Sequence, residues 1–359
     1  MIYVTKTFLP PQEEFNNILK KAWDKNWLTN RGELVLELEA RLRDYLGVKN
    51  VISMTNGTLP IQIAIKALGL KGEIITTPFS YIATTSSIVW EGCKPVFVDI
   101  DPEYLTIDES KIEAAVTEFT SGILATHVYG NPCNIDVIEK IAKKYKLKVI
   151  YDAAHCFGVK YKGQSIFNYG DVSTCSFHAT KVFHTGEGGA AFCNDSNIYK
   201  ELFYRHNFGH NGPEDFQGVG INAKMSELQA AMGIVILNHF PSIIESRNVI
   251  VKKYRKELKL GKPLKMRDDT VWNSSYYPII LDSVNQLESV VKVLNDNSIF
   301  PRRYFYPSLN NILQLGNQSC PVSESIAQRV LCLPLFHSLN LKDQESIINL
   351  INNIASYDK

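Results

Sequence analysis

The sequence predicts an α/β protein: an open, mostly parallel sheet of seven strands with helical crossovers, followed by a smaller carboxyl-terminal α+β domain. Three observations lead there. From about residue 50 to 195 the chain repeats a short β-rich apolar run, a turn and a helix-compatible stretch. The apolar runs lack the strict alternation of a strand with one wet face, so they are read as strands buried on both sides. Between them lie amphipathic segments, such as 135–145, of the kind that crossovers between parallel strands require.

In chain order, the strand candidates are 51–54, 73–76, 95–98, 122–126, 149–151, 172–177 and 190–193. From Met225 a helical period (Met225, Leu228, Met232, Val235) leads away from the sheet, and Pro241, Gly261 and Pro263 punctuate the passage to a second domain. There 276–281 reads as a strand, 286–295 as a helix, 331–335 as a strand and 342–354 as a helix. A chain of 359 residues has apolar material for two cores. The expected division is a large domain over 1–240, with 1–48 packing on it, and a small one over 241–359.

Composition excludes several classes of function. Net charge is +1, with Lys and Arg scattered, so no footprint for nucleic acid or an anionic membrane is visible. The apolar runs are strand-sized, too short to span a bilayer. Residues 1–15 carry neither the basic segment nor the apolar stretch of a secretion signal. Seven cysteines include no CxxC pair, and no histidine pair of metal-binding spacing stands beside a cysteine pair. Reduced thiols, a cytoplasmic location and no metal site are expected.

Ligands of such sheets gather outside the carboxyl ends of the strands, so polar residues just after the apolar runs are the candidates for chemistry. Thr55-Asn56-Gly57-Thr58 precedes a helix opening at Leu59-Pro60; its free N–H groups suit a phosphate, although a plain strand-turn-helix connection has the same pattern. In KVIYDAAH, Asp152 ends a strand and is followed by two small residues that let a flat ligand approach. It could hold a protonated ring nitrogen or cap the next helix, and His155 could be a ligand or a core histidine. Lys181 follows the run DVSTCSFHAT and precedes TGEGG. Enclosed there, its amine would be nucleophilic, whereas a lone lysine is ordinarily a solvated surface residue. Residues 186–189 match neither GxGxxG nor the P-loop.

The combination is more specific than its parts: phosphate turn, strand-end Asp, strand-end Ser176, and a Lys 29 residues after the Asp. It resembles the fold-type I enzymes of pyridoxal 5'-phosphate (PLP), and within them the DegT/StrS sugar aminotransferase family. The segments that carry the resemblance are WLTNRGELVLELEARLRDYLGVK, TTPFSYIATTSSIVWEGCKPVFVDID, HVYGNPCNID, YDAAHCFG, GDVSTCSFHATKVFHTGEGGAAFCND and GINAKMSELQAAMG, with RRYFYPSL and VLCLPLFHSL beyond them. The likeness covers nearly the whole chain.

The resemblance implies an aspartate aminotransferase-like fold and assigns roles. Lys181 is the Schiff-base lysine and proton shuttle, and Asp152 keeps the ring nitrogen protonated. His155 lies near the phenolic oxygen and Tyr81 stacks on the ring. Gly57, Thr58 and Ser176 bind the phosphate, together with Asn222 from a partner subunit, so a homodimer with shared sites is implied. L-glutamate is the implied amino donor, with pyridoxamine 5'-phosphate as the intermediate form of the cofactor. The acceptor is a nucleotide-linked keto sugar destined for O-antigen or other cell-surface polysaccharide. Ser176-Phe177-His178 with Thr185-Gly186-Glu187 resembles members acting at carbon 4, which turn dTDP-4-keto-6-deoxyglucose into dTDP-4-amino-4,6-dideoxyglucose. A 3-keto or UDP-linked sugar remains the alternative substrate. His178, Glu187, Arg302, Arg303 and Tyr306 are candidates for the sugar or diphosphate, the last three equally readable as a surface loop. Lys224 and Leu59-Pro60 depart from the family's commoner residues. Intact Lys181 disfavours a sugar dehydratase of the same fold, and intact Asp152, Ser176 and Lys181 disfavour a silent sugar sensor.

Overall fold

Seven strands form the central sheet of the computed structural model, which describes residues 1–316 and 318–357. They are β1 (Asn50–Met54), β2 (Glu73–Thr76), β3 (Lys94–Phe97), β4 (Thr120–Thr126), β5 (Lys148–Asp152), β6 (Val172–Ser176) and β7 (Gly189–Cys193). Their spatial order is β1-β7-β6-β5-β4-β2-β3. All neighbours are parallel except β7, which runs antiparallel to both β1 and β6. Most of the strand residues are buried, on both faces, because helices cover both.

Against one face pack α1 (Gln12–Asp24), α2 (Glu33–Leu46) and the long helix introduced below, with Leu34, Leu38 and Leu42 buried to 0% exposure. The other face is covered by α3 (Leu59–Ala67), α4 (Ile82–Trp90) and the later helix Ser196–Arg205. A crossover helix, α5 (Ile135–Tyr145), occupies the span read from its periodicity and buries Ile135, Ile138, Ile141 and Ala142 at the i, i+3, i+4 spacing. Numbering Ser196–Arg205 as α6, the long helix is α7, Glu227–Glu257.

Two expectations need correction. Pro241 does not break the chain: it lies inside α7, where buried Phe240 and Ile243 on either side hold the helix against the core despite the missing N–H. By length and composition α7 is also apolar enough to cross a membrane, which a search for uninterrupted apolar runs overlooked; 56% of its most apolar stretch is buried inside the protein.

Beyond α7, β8 (Lys262–Pro263), β9 (Tyr277–Ile280) and β10 (Val330–Leu333) make a three-stranded antiparallel sheet in the order β8-β9-β10. On it lie α8 (Val284–Asp296), α9 (Pro321–Arg329) and α10 (Leu341–Tyr357). One apolar cluster draws on residues 22–240 and another on 250–351, and α7 feeds both. A third cluster joins Phe79, Val128 and Tyr129 of the sheet lobe to Tyr276, Phe305 and Val330 of the other, fixing the mouth between them.

Candidate active site

The carboxyl ends of β1, β4, β5 and β6 open on one side of the sheet, and a cleft of about 390 Å³ lies there against the second lobe. Gly57, Thr58, Tyr81, Asp152, His155, Ser176, His178, Lys181, Glu187 and Arg302 all line it. A hollow of about 610 Å³ beside α5 and β5 is larger, but it is a shallow surface depression edged by Lys143, Lys146 and Lys148 without such convergence.

At the end of β1 the turn wraps tightly on β6. A Cβ on Gly57 would stand 2.6 Å from Ser176 Cβ, so only glycine fits. Thr58 occupies the cap position of α3, yet its side chain makes no capping bond; Asn56 Oδ1 accepts instead from the Thr58 and Leu59 amides, at 2.9 and 3.0 Å. The side chain that caps this helix start is therefore that of Asn56, two residues before the cap position held by Thr58. The positive end of α3 and the Ser176 hydroxyl share one corner of the cleft, a corner suited to an anion.

Asp152 ends β5, and no helix follows it. The helix-cap alternative thus falls away: its Oδ1 accepts from the Ala154 amide at 3.1 Å and its Oδ2 from Thr84 Oγ1 at 2.6 Å. Burial raises its pKa, opposed by these hydrogen bonds and by Lys181. His155 Nδ1 accepts from the Tyr129 amide at 3.0 Å, so in the neutral ring the proton belongs on Nε2. Burial, then the nearby Lys181, drives the His155 pKa well below its ordinary value. It is a core histidine by burial and a cleft residue by position.

Lys181 keeps some solvent contact through the cleft while protein packs around its amine. That packing lowers its pKa, with Asp152 the main opposing influence. Nζ is 3.5 Å from the Tyr276 hydroxyl and 5.7 Å from that ring's centre. An amine whose free-base form burial favours, hydrogen-bonded and facing a carboxylate and an anion corner, can attack a carbonyl and carry a proton.

Three of the expected residues lie elsewhere. The Arg303 guanidinium stacks on Tyr306 at 3.6 Å and donates to the Gln328 carbonyl at 3.2 Å, away from the cleft, which suits the surface-loop reading of both. Asn222 is exposed and outside the cleft of its own chain, accepting from Lys224 Nζ at 2.8 Å. At the mouth, His178 Nε2 stands 3.5 Å from Glu187 Oε1.

Sequence reasoning missed Thr84, Ser80 and Thr126 beneath Asp152, and Tyr276, Tyr304 and Phe305 on the far wall. The strand-end rule that picked Asp152 also picks Thr126, and Thr84 sits one helical turn from Tyr81. No local signal marks the far wall, which is brought in by the docking of the second lobe. Among the described residues no group of histidine, cysteine or carboxylate side chains could hold a metal, and all seven cysteines are unpaired and buried.

Comparison with known proteins gives a consistent outcome. The profile of the DegT/DnrJ/EryC1/StrS aminotransferase family matches residues 11–352. A dTDP-4-amino-4,6-dideoxy-D-glucose transaminase of Shigella dysenteriae is 42% identical, over 98% of this chain and 99% of its own. One of the same name from Escherichia coli is 39% identical, over 94% and 95%. The solved structure of DesI with its TDP-sugar product superposes with a TM-score of 0.94 at 31% identity, covering 99% of this chain and 93% of that one.

Proposed function

The chain belongs to the DegT/DnrJ/EryC1/StrS aminotransferase family, and from that premise we propose that it transfers the amino group of L-glutamate to dTDP-4-keto-6-deoxy-D-glucose, giving dTDP-4-amino-4,6-dideoxy-D-glucose. It is a nucleotide-sugar aminotransferase of fold type I, whose members depend on PLP. The sugar, the donor and a cytoplasmic role in cell-surface polysaccharide assembly are our reading, supported by near full-length similarity to the two transaminases above. The observation that carries the reaction is the meeting of Lys181, Asp152, Ser176 and the Gly57 turn in one cleft.

The residues present fit PLP. Lys181 would hold it covalently, and the Gly57 amide and Ser176 would take its phosphate, joined by the Thr58 amide once that leaves Asn56 Oδ1; the missing Cβ at Gly57 is what lets this turn close on Ser176. When bound, PLP supplies an electron sink that eases removal of the proton from the amine-bearing carbon. Asp152 would keep the ring nitrogen protonated, His155 Nε2–H would donate towards the phenolic oxygen, and Tyr81, 61% exposed, would stack on the ring. Lys181 Nζ would move one proton between substrate carbon and cofactor, in one direction with glutamate and in the other with the keto sugar, and burial, which lowers its pKa, favours the free-base form that takes the proton up. Arg302, His178 and Glu187 at the mouth would meet the sugar diphosphate, Arg302 by charge.

Exposed Trp90 (81%) and Val219 (84%), with Val89 and Ile221 beside them in the chain, support a homodimer in which Asn222 serves the partner's site. Mixed dimers of Lys181→Ala and Asn222→Ala chains should regain activity at one intact site; verified mixed dimers without recovery would count against sharing. The central test incubates the protein with PLP, L-glutamate and a panel of nucleotide keto sugars and locates the new amine by NMR. The expected product is the dTDP sugar aminated at carbon 4. An amine at another position, or none, overturns the assignment.

A further inference from the structure

Beneath the Asp152 carboxylate runs a file of three buried hydroxyls from separate elements. Thr84 lies on α4, Ser80 just before that helix, and Thr126 at the end of β4; they are 0%, 2% and 4% exposed. Thr84 Oγ1 donates to Asp152 Oδ2 at 2.6 Å, Ser80 Oγ is 2.7 Å from Thr84 Oγ1, and Thr126 Oγ1 donates to Ser80 Oγ at 3.1 Å. A hydroxyl has one proton to give. Since Thr84 spends its proton on the carboxylate, Ser80 must be the donor in the 2.7 Å contact, and Ser80 is then free to accept from Thr126. Every proton in the file therefore points towards Asp152.

We propose that Thr126, Ser80 and Thr84 form a one-way donor chain that orients the Asp152 carboxylate and keeps it ionised for the cofactor. This rests on the reading of Asp152 given above. Were Oδ2 protonated, Thr84 Oγ1 would have to accept from it instead of donating, and the Thr84 proton would be left to find another acceptor among buried groups. Aligned hydroxyls polarise one another, so the charged acceptor at the end gains more than a single contact supplies. The other groups facing the carboxylate are the Ala154 amide on Oδ1, Lys181 with opposing charge, and His155, Cys156 and Cys175, which burial keeps neutral. Burial itself favours the neutral acid, and the chain acts against it. Thr84, Ser80 and Thr126 are thus positioning residues, acting on the reaction through Asp152.

The test follows the Asp152 carboxyl by 13C NMR in apoenzyme labelled at aspartate, the signal being assigned by its loss in Asp152→Asn. Removing one charge-assisted hydrogen bond in Thr84→Val should raise its titration midpoint by about one to two pH units. The acid limb of kcat/KM should move up with it, and Thr84→Ser should return both. An unmoved midpoint in folded Thr84→Val overturns the proposal. If that variant does not fold, Ser80→Ala, one link back, should shift the midpoint in the same direction by less, and no shift there overturns it equally. Should Asp152→Asn keep its full rate while Thr84→Val still moves the titration, the chain stands and the role given to Asp152 falls.

Discussion

The two lobes that enclose the cleft supply it in different ways. From the sheet lobe come Asp152, Ser176 and Thr126, each at the end of a strand whose neighbours on both sides fix its backbone. From the second lobe come Tyr276, Arg302, Tyr304 and Phe305, standing at the start of β9 or on the loop before α9 and tied down by side-chain bonds. Trp272 Nε1 and Ser275 Oγ both donate to the Tyr129 carbonyl, at 2.8 and 2.6 Å, and Asn273 Nδ2 donates to the His155 carbonyl at 2.8 Å. Asp152 and Ser176 stand at the ends of the rigid ladder and Lys181 on the loop that follows β6, whereas the far wall of the cleft comes from the strapped loop. Buried histidines divide the same way: His127, His155, His184 and His206 belong to the sheet lobe, and half-buried His337 to the other.

If the ladder and the loop that follows β6 carry the chemistry, their variants should be the most severe. Lys181→Ala should lower turnover by about 10^4-fold or more, because nucleophile and base vanish together, while the fold persists. Steady-state rates with L-glutamate, alongside the cofactor's absorbance, check this; turnover within tenfold of normal would break the comparison at its strongest point. Asp152→Asn, which keeps size but loses charge, should lower the rate by about 10^2- to 10^3-fold, the scale of removing one charge-stabilising group. Should that variant work normally, the strand end would be a structural feature only.

The sequence made the ladder legible and the strap nearly invisible, for a physical reason. Strands buried on both faces carry few charges and alternate with amphipathic crossovers, so each of the seven leaves a local imprint; Asp152 and Ser176 stand where that imprint stops, and Lys181 on the loop just beyond. Tyr276 precedes an apolar strand like any other, and only the docking of a lobe 95 positions away in the chain brings it to Lys181. Arg303 and Tyr306 show the converse: charged and aromatic residues near the right loop, but paired with each other on the outside. Asn56 was hidden because its capping role depends on side-chain direction, which the pattern Asn-Gly-Thr leaves open.

The histidines sharpen the contrast through acid. His127 is lowered to about 3 and His206 to about 4 by burial, from an ordinary 6.5. Below that ordinary value the unfolded chain takes up protons that the folded one refuses, so stability falls as pH drops from 6.5 towards the folded values. At pH 5 each histidine should cost about 2 kcal/mol relative to pH 7. Urea unfolding at both pH values measures the loss, and in His127→Asn, which retains an acceptor for the Cys133 amide held at 3.0 Å, the loss should shrink by that amount. An undiminished loss would mean that the ring is not kept neutral by burial.

The mildest expected effect lies on the strap. Tyr276→Phe removes the hydroxyl 3.5 Å from Lys181 but keeps the ring and its packing against His155 at 4.9 Å. Losing one neutral hydrogen bond to the amine should cost about 3- to 10-fold in kcat. The basic arm of the kcat profile decides whether the hydroxyl tunes the amine or merely fills space: a tuning group moves that arm, and a filler lowers the rate at every pH alike. A loss as deep as that of Asp152→Asn would erase the distinction between ladder and wall, because a residue delivered by the second lobe would then share the proton chemistry itself.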